Sequence, residues 1–492
     1  MNSTIKFILI VCGITLPLWS IAMPSDELRE AISPITHPKT KARQNRIKES
    51  AINRLYYPHS QKIEYYTARN AKKFIKMAKR GSIEGQYNLG YCYYNGEGVI
   101  KNYTEAVRLW HKTAEQGHAD SQYNLGYCYY NGFGVTKDLA EVIRWWRKAA
   151  EQGHATAQLC LGLCHYNGIG VTKDLVEAVK LYRKAAYQGL VGAQYHLGSC
   201  YYYGKGIGRD IKEAILWYRT AAEQGHAKAQ YNLGGCYHYG IDITENLAEA
   251  LKWYHKAAEQ GVVDAQYILG LCYGAGKGLD ENLVKAAYWF HKAAEQGYAE
   301  AQYLLGLAYD DGAGVTQKHT EAVKWYHKAA EQGLANAQFN LGNNYRNGKG
   351  VTKDNAEAVR WFRKAAEQGH TGAQYNLGAC YYNGLGVTKD IAVAIKWWHK
   401  AAENGSPEAQ YYLAKCYEEG KYVTRDITEA VKWWNKAAEQ GDIRAQYILG
   451  ERYEKGQGVA QNRNEAIKWY SKAAKQGHHI AKLKLNNMGV TW

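Results

Sequence analysis

Few residues of this 492-residue chain stand at the spacings that catalysis requires. A Ser-x-x-Lys pair, which would supply the nucleophile and a base of a serine β-lactamase, occurs once, at Ser3-Thr4-Ile5-Lys6 in an apolar N-terminal stretch. Neither His-Glu-x-x-His nor Cys-x-x-Cys, the spacings that bring zinc ligands together, is present. Gly274-Ala275-Gly276-Lys277-Gly278 imitates a phosphate loop, but it lacks the Lys-Ser/Thr dipeptide and a strand before it. His255, His291, His327 and His399 share one register and read as a solvated helix face rather than as ligands. These patterns lead us to expect no catalytic, cofactor-binding or metal-ligating residues.

The thiols point the same way. Cys12 lies near the N-terminus, and eight of the other cysteines keep a common register: Cys92, Cys128, Cys164, Cys200, Cys236, Cys272, Cys380 and Cys416. Equivalent positions on stacked helices lie about 8–10 Å apart, beyond the roughly 6.8 Å that a disulfide tolerates between Cα atoms. They are expected to be reduced and buried as small hydrophobes, as is Cys160 one helical turn from Cys164.

The register belongs to a repeat. Gln86, Gln122, Gln158, Gln194, Gln230, Gln266, Gln302, Gln338, Gln374, Gln410 and Gln446 follow one another at a constant interval of 36 residues. Spacing without insertion or deletion is the mark of a solenoid, in which each unit buries its apolar face on its neighbours. In the second copy, Leu125, Cys128 and Tyr129 form a helical stripe from about Ala119 to Tyr130, and Asn131-Gly132 ends that helix. Asp138 is suited to cap a second helix, whose inner side carries Val142, Trp145, Trp146 and Ala149. Gly126 has no side chain and lets the paired helix approach. Repeats five (Gly240-Ile241-Asp242-Ile243) and ten (Gly420-Lys421-Tyr422-Val423) lack the second loop glycine, so their loops are expected to bend differently.

The expected fold is all-α: a right-handed α-solenoid of helix-turn-helix units. Its predicted parts are a signal peptide (1–22), a basic, partly disordered leader (23–63), an N-terminal capping helix (64–81), eleven repeats (82–477) and a C-terminal cap (478–492).

These motifs resemble the Sel1-like repeat, a relative of the tetratricopeptide repeat. The resemblance is carried most fully by Thr371-Gly372-Ala373-Gln374-Tyr375-Asn376-Leu377-Gly378, by Asn383-Gly384-Leu385-Gly386-Val387-Thr388-Lys389-Asp390, and by Trp397-Trp398-His399-Lys400-Ala401-Ala402-Glu403. It covers roughly residues 65–485 and implies a scaffold or adaptor without naming a partner. Some exported, cysteine-rich members of that family carry two bridged cysteines per repeat and are described as β-lactamases. One cysteine per repeat makes the likeness to them partial.

The net charge of +16 is concentrated early: fourteen Lys/Arg and only five Asp/Glu fall between residues 24 and 80. Lys6, the apolar run from Phe7 to Val11 and the small residues Ser20-Ile21-Ala22 read as an export signal cleaved near Ala22, with a periplasmic or secreted product and an uncleaved anchor as the alternative. The leader, residues 24–63, could also meet an anionic membrane surface.

By resemblance to tetratricopeptide packing, the first helix of each unit lines a concave groove that takes a protein or peptide ligand. The candidate contact residues are Tyr91, Tyr94, Tyr127, Tyr130, Tyr166, Tyr202, His238, Asp310, Asp311, Arg346 and Tyr382. Tyrosine gives rigid, amphipathic contact area, and the chain holds 43 of them against six phenylalanines. Acidic groups in the row argue against nucleic acid, which wants a continuous basic lining. The expected function is therefore a monomeric, exported, non-catalytic scaffold that can engage a host protein. Two alternatives stand beside it: a cell-envelope enzyme of the β-lactamase-like kind, and membrane association through the leader.

Overall fold

The computed structural model describes residues 68–420 and 422–490. The expected signal peptide and basic leader lie outside these residues, as do the first residues of the expected N-terminal capping helix. The described residues form 24 α-helices and no strand, an all-α solenoid of antiparallel hairpins. They divide into two compact units, 68–281 and 282–490.

One repeat explains the others. Its A helix, Ala119–Asn131, ends where Gly132 adopts φ 77° and returns its N–H to the carbonyl of Cys128. Only glycine takes this left-handed conformation without steric cost. Its B helix, Leu139–Glu151, starts at Asp138, whose carboxylate accepts from the N–H groups of Ala140 and Glu141. Between the two helices Leu125, Cys128, Val142, Trp146 and Ala149 are fully buried. A Cβ on Gly126 would lie 2.4 Å from the Trp146 ring, so the missing side chain sets the helix separation. The close approach lets the Trp146 indole Nε1–H donate to the Tyr123 carbonyl at 3.1 Å. Repeat ten shows the converse: Ala414 replaces the glycine, and the buried Nε1 of its tryptophan, Trp434, has no acceptor.

The repeated glutamine joins one unit to the next. Gln158 is 3% exposed, and its Nε2 donates to the carbonyl of Ala150, in the last turn of the preceding B helix. Its Oε1 accepts from Nε2 of Gln188, at the end of its own B helix, at 2.8 Å. Gln122, Gln194, Gln230 and Gln338 make the same pair of bonds, and Asn404 serves Gln374 where the second glutamine is absent. The last carbonyls of a helix lack intrahelical partners; the one reached here accepts the N–H of the following glycine, as Ala150 does from Gly153, and the glutamine gives it a second donor from the next repeat.

Two expectations need correction. The loops of repeats five and ten do not abandon the conformation of the others. Asp242 (φ 55°) and Tyr422 (φ 66°) take the left-handed geometry that glycine holds elsewhere, at the strain a side chain brings there. Nor are the B-helix histidines simply solvated. His291, His327 and His399 stand edge-on to Trp325, Trp361 and Trp433 of the following repeat at 5.5–5.7 Å, and His255 meets the Tyr273 hydroxyl at 3.1 Å.

At the N-terminal end, Ala71 and Phe74 of helix Ala68–Lys79 pack with Leu89 and Cys92. At the other end, Ala481 and Leu485 of helix His479–Asn487 pack with Tyr470. All nine cysteines among the described residues are free and buried. Burial pushes the thiols of Cys164, Cys200 and Cys236 up to about 12, which keeps them protonated and inert.

Candidate interaction face

The A helices present one face away from their paired B helices, and the residues singled out from sequence fall into two groups on it. In the N-terminal unit Tyr91, Tyr130 and Tyr202 are half-buried. Tyr91 stands edge-on to Tyr87 at 5.2 Å and to Trp110 at 5.3 Å. Tyr130 stacks on Trp146 at 6.1 Å, and Tyr202 lies against Tyr203 and Tyr218. Each ring is held by other rings, so little side-chain freedom remains to be lost on contact with a partner.

Tyr94, Tyr127, Tyr166 and His238 differ from the expectation: they are 5–7% exposed. The loop of the following repeat covers several of them. Phe133 closes on Tyr94 and Tyr127 at 6.0 Å, Lys205 lies over Tyr166 at 5.6 Å, and Lys277 reaches His238 Nε2 at 3.2 Å. Burial raises the hydroxyl pKa of Tyr94 and Tyr127. Burial, and then the Lys277 ammonium, lowers that of His238. These four residues support the face rather than form its open surface.

In the C-terminal unit Asp310, Asp311, Arg346 and Tyr382 are half-buried. Asp310 is held by His319 Nδ1 at 2.9 Å and Lys349 Nζ at 3.0 Å. The Arg346 guanidinium lies over Phe362, and Tyr382 packs on Trp398 at 5.2 Å.

Sequence reasoning missed a histidine row at the N-terminal ends of the A helices. His118, His154, His226, His370 and His478 are N-caps, each accepting through Nδ1 from the N–H three residues on at 3.1–3.2 Å. Each also lies against the aromatic ring of the preceding A helix, as His226 does on Tyr195 at 4.5 Å. An accepting Nδ1 requires the neutral ring. Burial drives His226 down to about 3, with His196 and Lys228 adding to the effect. The signal was in the sequence: the residue four before the repeated glutamine is histidine in four copies, and His478 keeps the same register ahead of the last helix. Among the described residues no group of three or more His, Cys, Asp or Glu side chains is assembled as a metal site.

Buried hairpins in tandem, joined by a glutamine at every junction and presenting rows of fixed side chains, define a helical-repeat protein. A family model, the Sel1 repeat, matches eleven consecutive segments from 83–118 to 443–478. The chain belongs to the Sel1 repeat family, whose members are generally protein-interaction scaffolds and typically non-catalytic. Among solved structures it is similar to c5321, a protective antigen of uropathogenic Escherichia coli strains, at 36% identity over 85% of this chain and 90% of that one, TM-score 0.78. It is also similar to a Sel1 repeat protein from Oxalobacter formigenes, at 38% identity over 63% of this chain and 89% of that one, TM-score 0.52. No curated protein matches the chain.

Proposed function

We propose that the chain is an exported, non-catalytic scaffold whose A-helix face binds a segment of another protein. The observation that carries this reading is the set of half-buried tyrosines, Tyr91, Tyr130 and Tyr202, each immobilised by its neighbours. Pre-ordered aromatic rings with a polar tip suit the centre of an interface, because ordering them on binding costs little. Likeness to a protective antigen supports export, since an antigen meets its antibodies outside the bacterium. A host protein is the partner class that follows from such a location.

The test is affinity capture with the full chain and with a Tyr91→Ala/Tyr130→Ala/Tyr202→Ala variant, after circular dichroism has shown that both are folded. The expected result is a partner retained by the parent and lost by the variant. Equal recovery by both would overturn the assignment to this face.

A further inference from the structure

Four consecutive A helices, Ala155–Asn167, Val191–Tyr203, Ala227–Tyr239 and Val263–Ala275, hold a single carboxylate among them, that of Asp264. Burial raises the pKa of that group, and Lys228 opposes the shift. The A helices before them in sequence carry Glu84 and Asp120, and the one after carries Glu300, Asp310 and Asp311. Repeats three to six are thus a nearly acid-free stretch of the A-helix face.

Two ammonium groups stand over it. Lys205 and Lys277 occupy the same place in the loops of repeats four and six, two repeats apart, and each reaches back to the end of the preceding A helix. Lys205 Nζ lies 5.6 Å from the Tyr166 ring and 5.4 Å from that of Tyr203. Lys277 Nζ lies 3.2 Å from His238 Nε2. The residue in this place in repeat eight is Lys349, and its ammonium is neutralised by Asp310 at 3.0 Å. In the N-terminal unit the position of that aspartate is taken by Tyr166 and by His238, so the charge of each lysine is left to be answered from outside. One loop acid, the exposed Glu245, acts on His238.

We propose that repeats three to six take an acidic, extended segment of a partner protein, with carboxylates accepted at Lys205 and Lys277. This rests on the reading of the A-helix face as a docking surface and adds the chemistry of what docks. Packed helices lie about 8–10 Å apart, so the two lysines should be separated by about 20 Å. That distance is spanned by roughly six residues of extended chain, so the acids of the partner should stand at about that interval. Charge complementarity commits the site to a peptide rather than a nucleic acid. A phosphate backbone needs a cation every few ångströms, whereas here Gly235 and Leu271 lie between the two lysines in sequence.

The probe is a fluorescein-labelled peptide, Glu-Glu-Ala-Tyr-Ala-Ala-Glu-Glu, compared by anisotropy with its all-Gln counterpart on the full chain at low ionic strength. The glutamate peptide should bind about tenfold more tightly, the yield of two exposed ion pairs. Lys205→Ala with Lys277→Ala should erase that preference, and Lys349→Ala should leave it intact. Equal binding of the two peptides would overturn the proposal. So would a Lys349→Ala effect as large as that of the pair, or stronger competition from oligo(dT) than from unlabelled glutamate peptide. If the preference fails while tyrosine-dependent capture persists, the acidic ligand is wrong and the docking face stands; loss of both removes the face itself.

Discussion

Replacing Gln158 with glutamate keeps the shape of the side chain and removes one of its two polar roles. The carboxylate can still accept from Gln188 Nε2, but at neutral pH it has no proton to give the Ala150 carbonyl, now 3.0 Å from an amide donor. That carbonyl keeps the N–H of Gly153 at 3.0 Å but loses its second donor, a hydrogen bond worth about 0.5–1.5 kcal/mol, and faces a carboxylate oxygen instead. The site is 3% exposed, so desolvation adds to that cost and raises the pKa of the new carboxyl. A loss of about 2–4 kcal/mol at pH 7 is expected. Because the folded-state pKa is the raised one, the deficit is largest at neutral pH and shrinks as pH falls toward the ordinary glutamate value, where the protonated acid can donate to Ala150. Gln158→Met, which abolishes both bonds, should cost a similar amount at every pH. Urea unfolding followed by far-UV circular dichroism at pH 7 and pH 5 reads both effects as differences from the parent. A deficit for Gln158→Glu under about 0.5 kcal/mol at pH 7, or one that does not narrow at pH 5, would refute the role given to the glutamine row.

His226 gives a second dependence on pH, of the opposite sense. Its folded-state pKa, about 3, lies below the ordinary histidine value, so the stability of the neutral cap is present above about pH 6.5 and is lost as pH falls toward 3. His226→Ser substitutes the cap that Ser406 provides for Ala409, and thermal melts between pH 7 and pH 4.5 should show the variant losing less stability than the parent, by about 1.4 kcal/mol per pH unit for one proton. Equal slopes would remove the histidine from the account. Tyr422 holds φ 66° where other repeats use glycine, and Tyr422→Gly should raise the unfolding free energy by about 1 kcal/mol, and the midpoint with it, despite the added freedom of the unfolded chain. A fall in the midpoint would show that the tyrosine ring contributes more than its backbone strain costs.

The hairpin architecture was legible because 36-residue spacing, the apolar stripes and the Asn-Gly and Asp punctuation all act locally. Leu125, Gly126, Asp138 and Trp146 each do what their residue type and position imply. What could not be read was how one repeat lies on the next. Tyr94 and Tyr130 have the same residue type and the same register, yet Tyr94 is covered by Phe133, a loop residue 39 positions later in the chain, while Tyr130 remains half-buried. The loops of repeats five and ten failed for a related reason. Their backbone is set by the shape shared with neighbouring repeats, which overrides the local preference of Asp242 and Tyr422 against the left-handed region. Lys205, Lys277 and the histidine caps were visible as residues, but their meaning depends on side chains one repeat away.

The docking face is tested most directly by site-specific photo-crosslinking with the full chain. A benzoylphenylalanine placed at Tyr130 reports from the A-helix face, and one placed at the exposed Arg144 reports from the B helix of the same repeat. The account predicts that position 130 crosslinks to the partner that Tyr91, Tyr130 and Tyr202 are needed to retain, and that position 144 does not. Crosslinks to that partner from position 144 alone would contradict it.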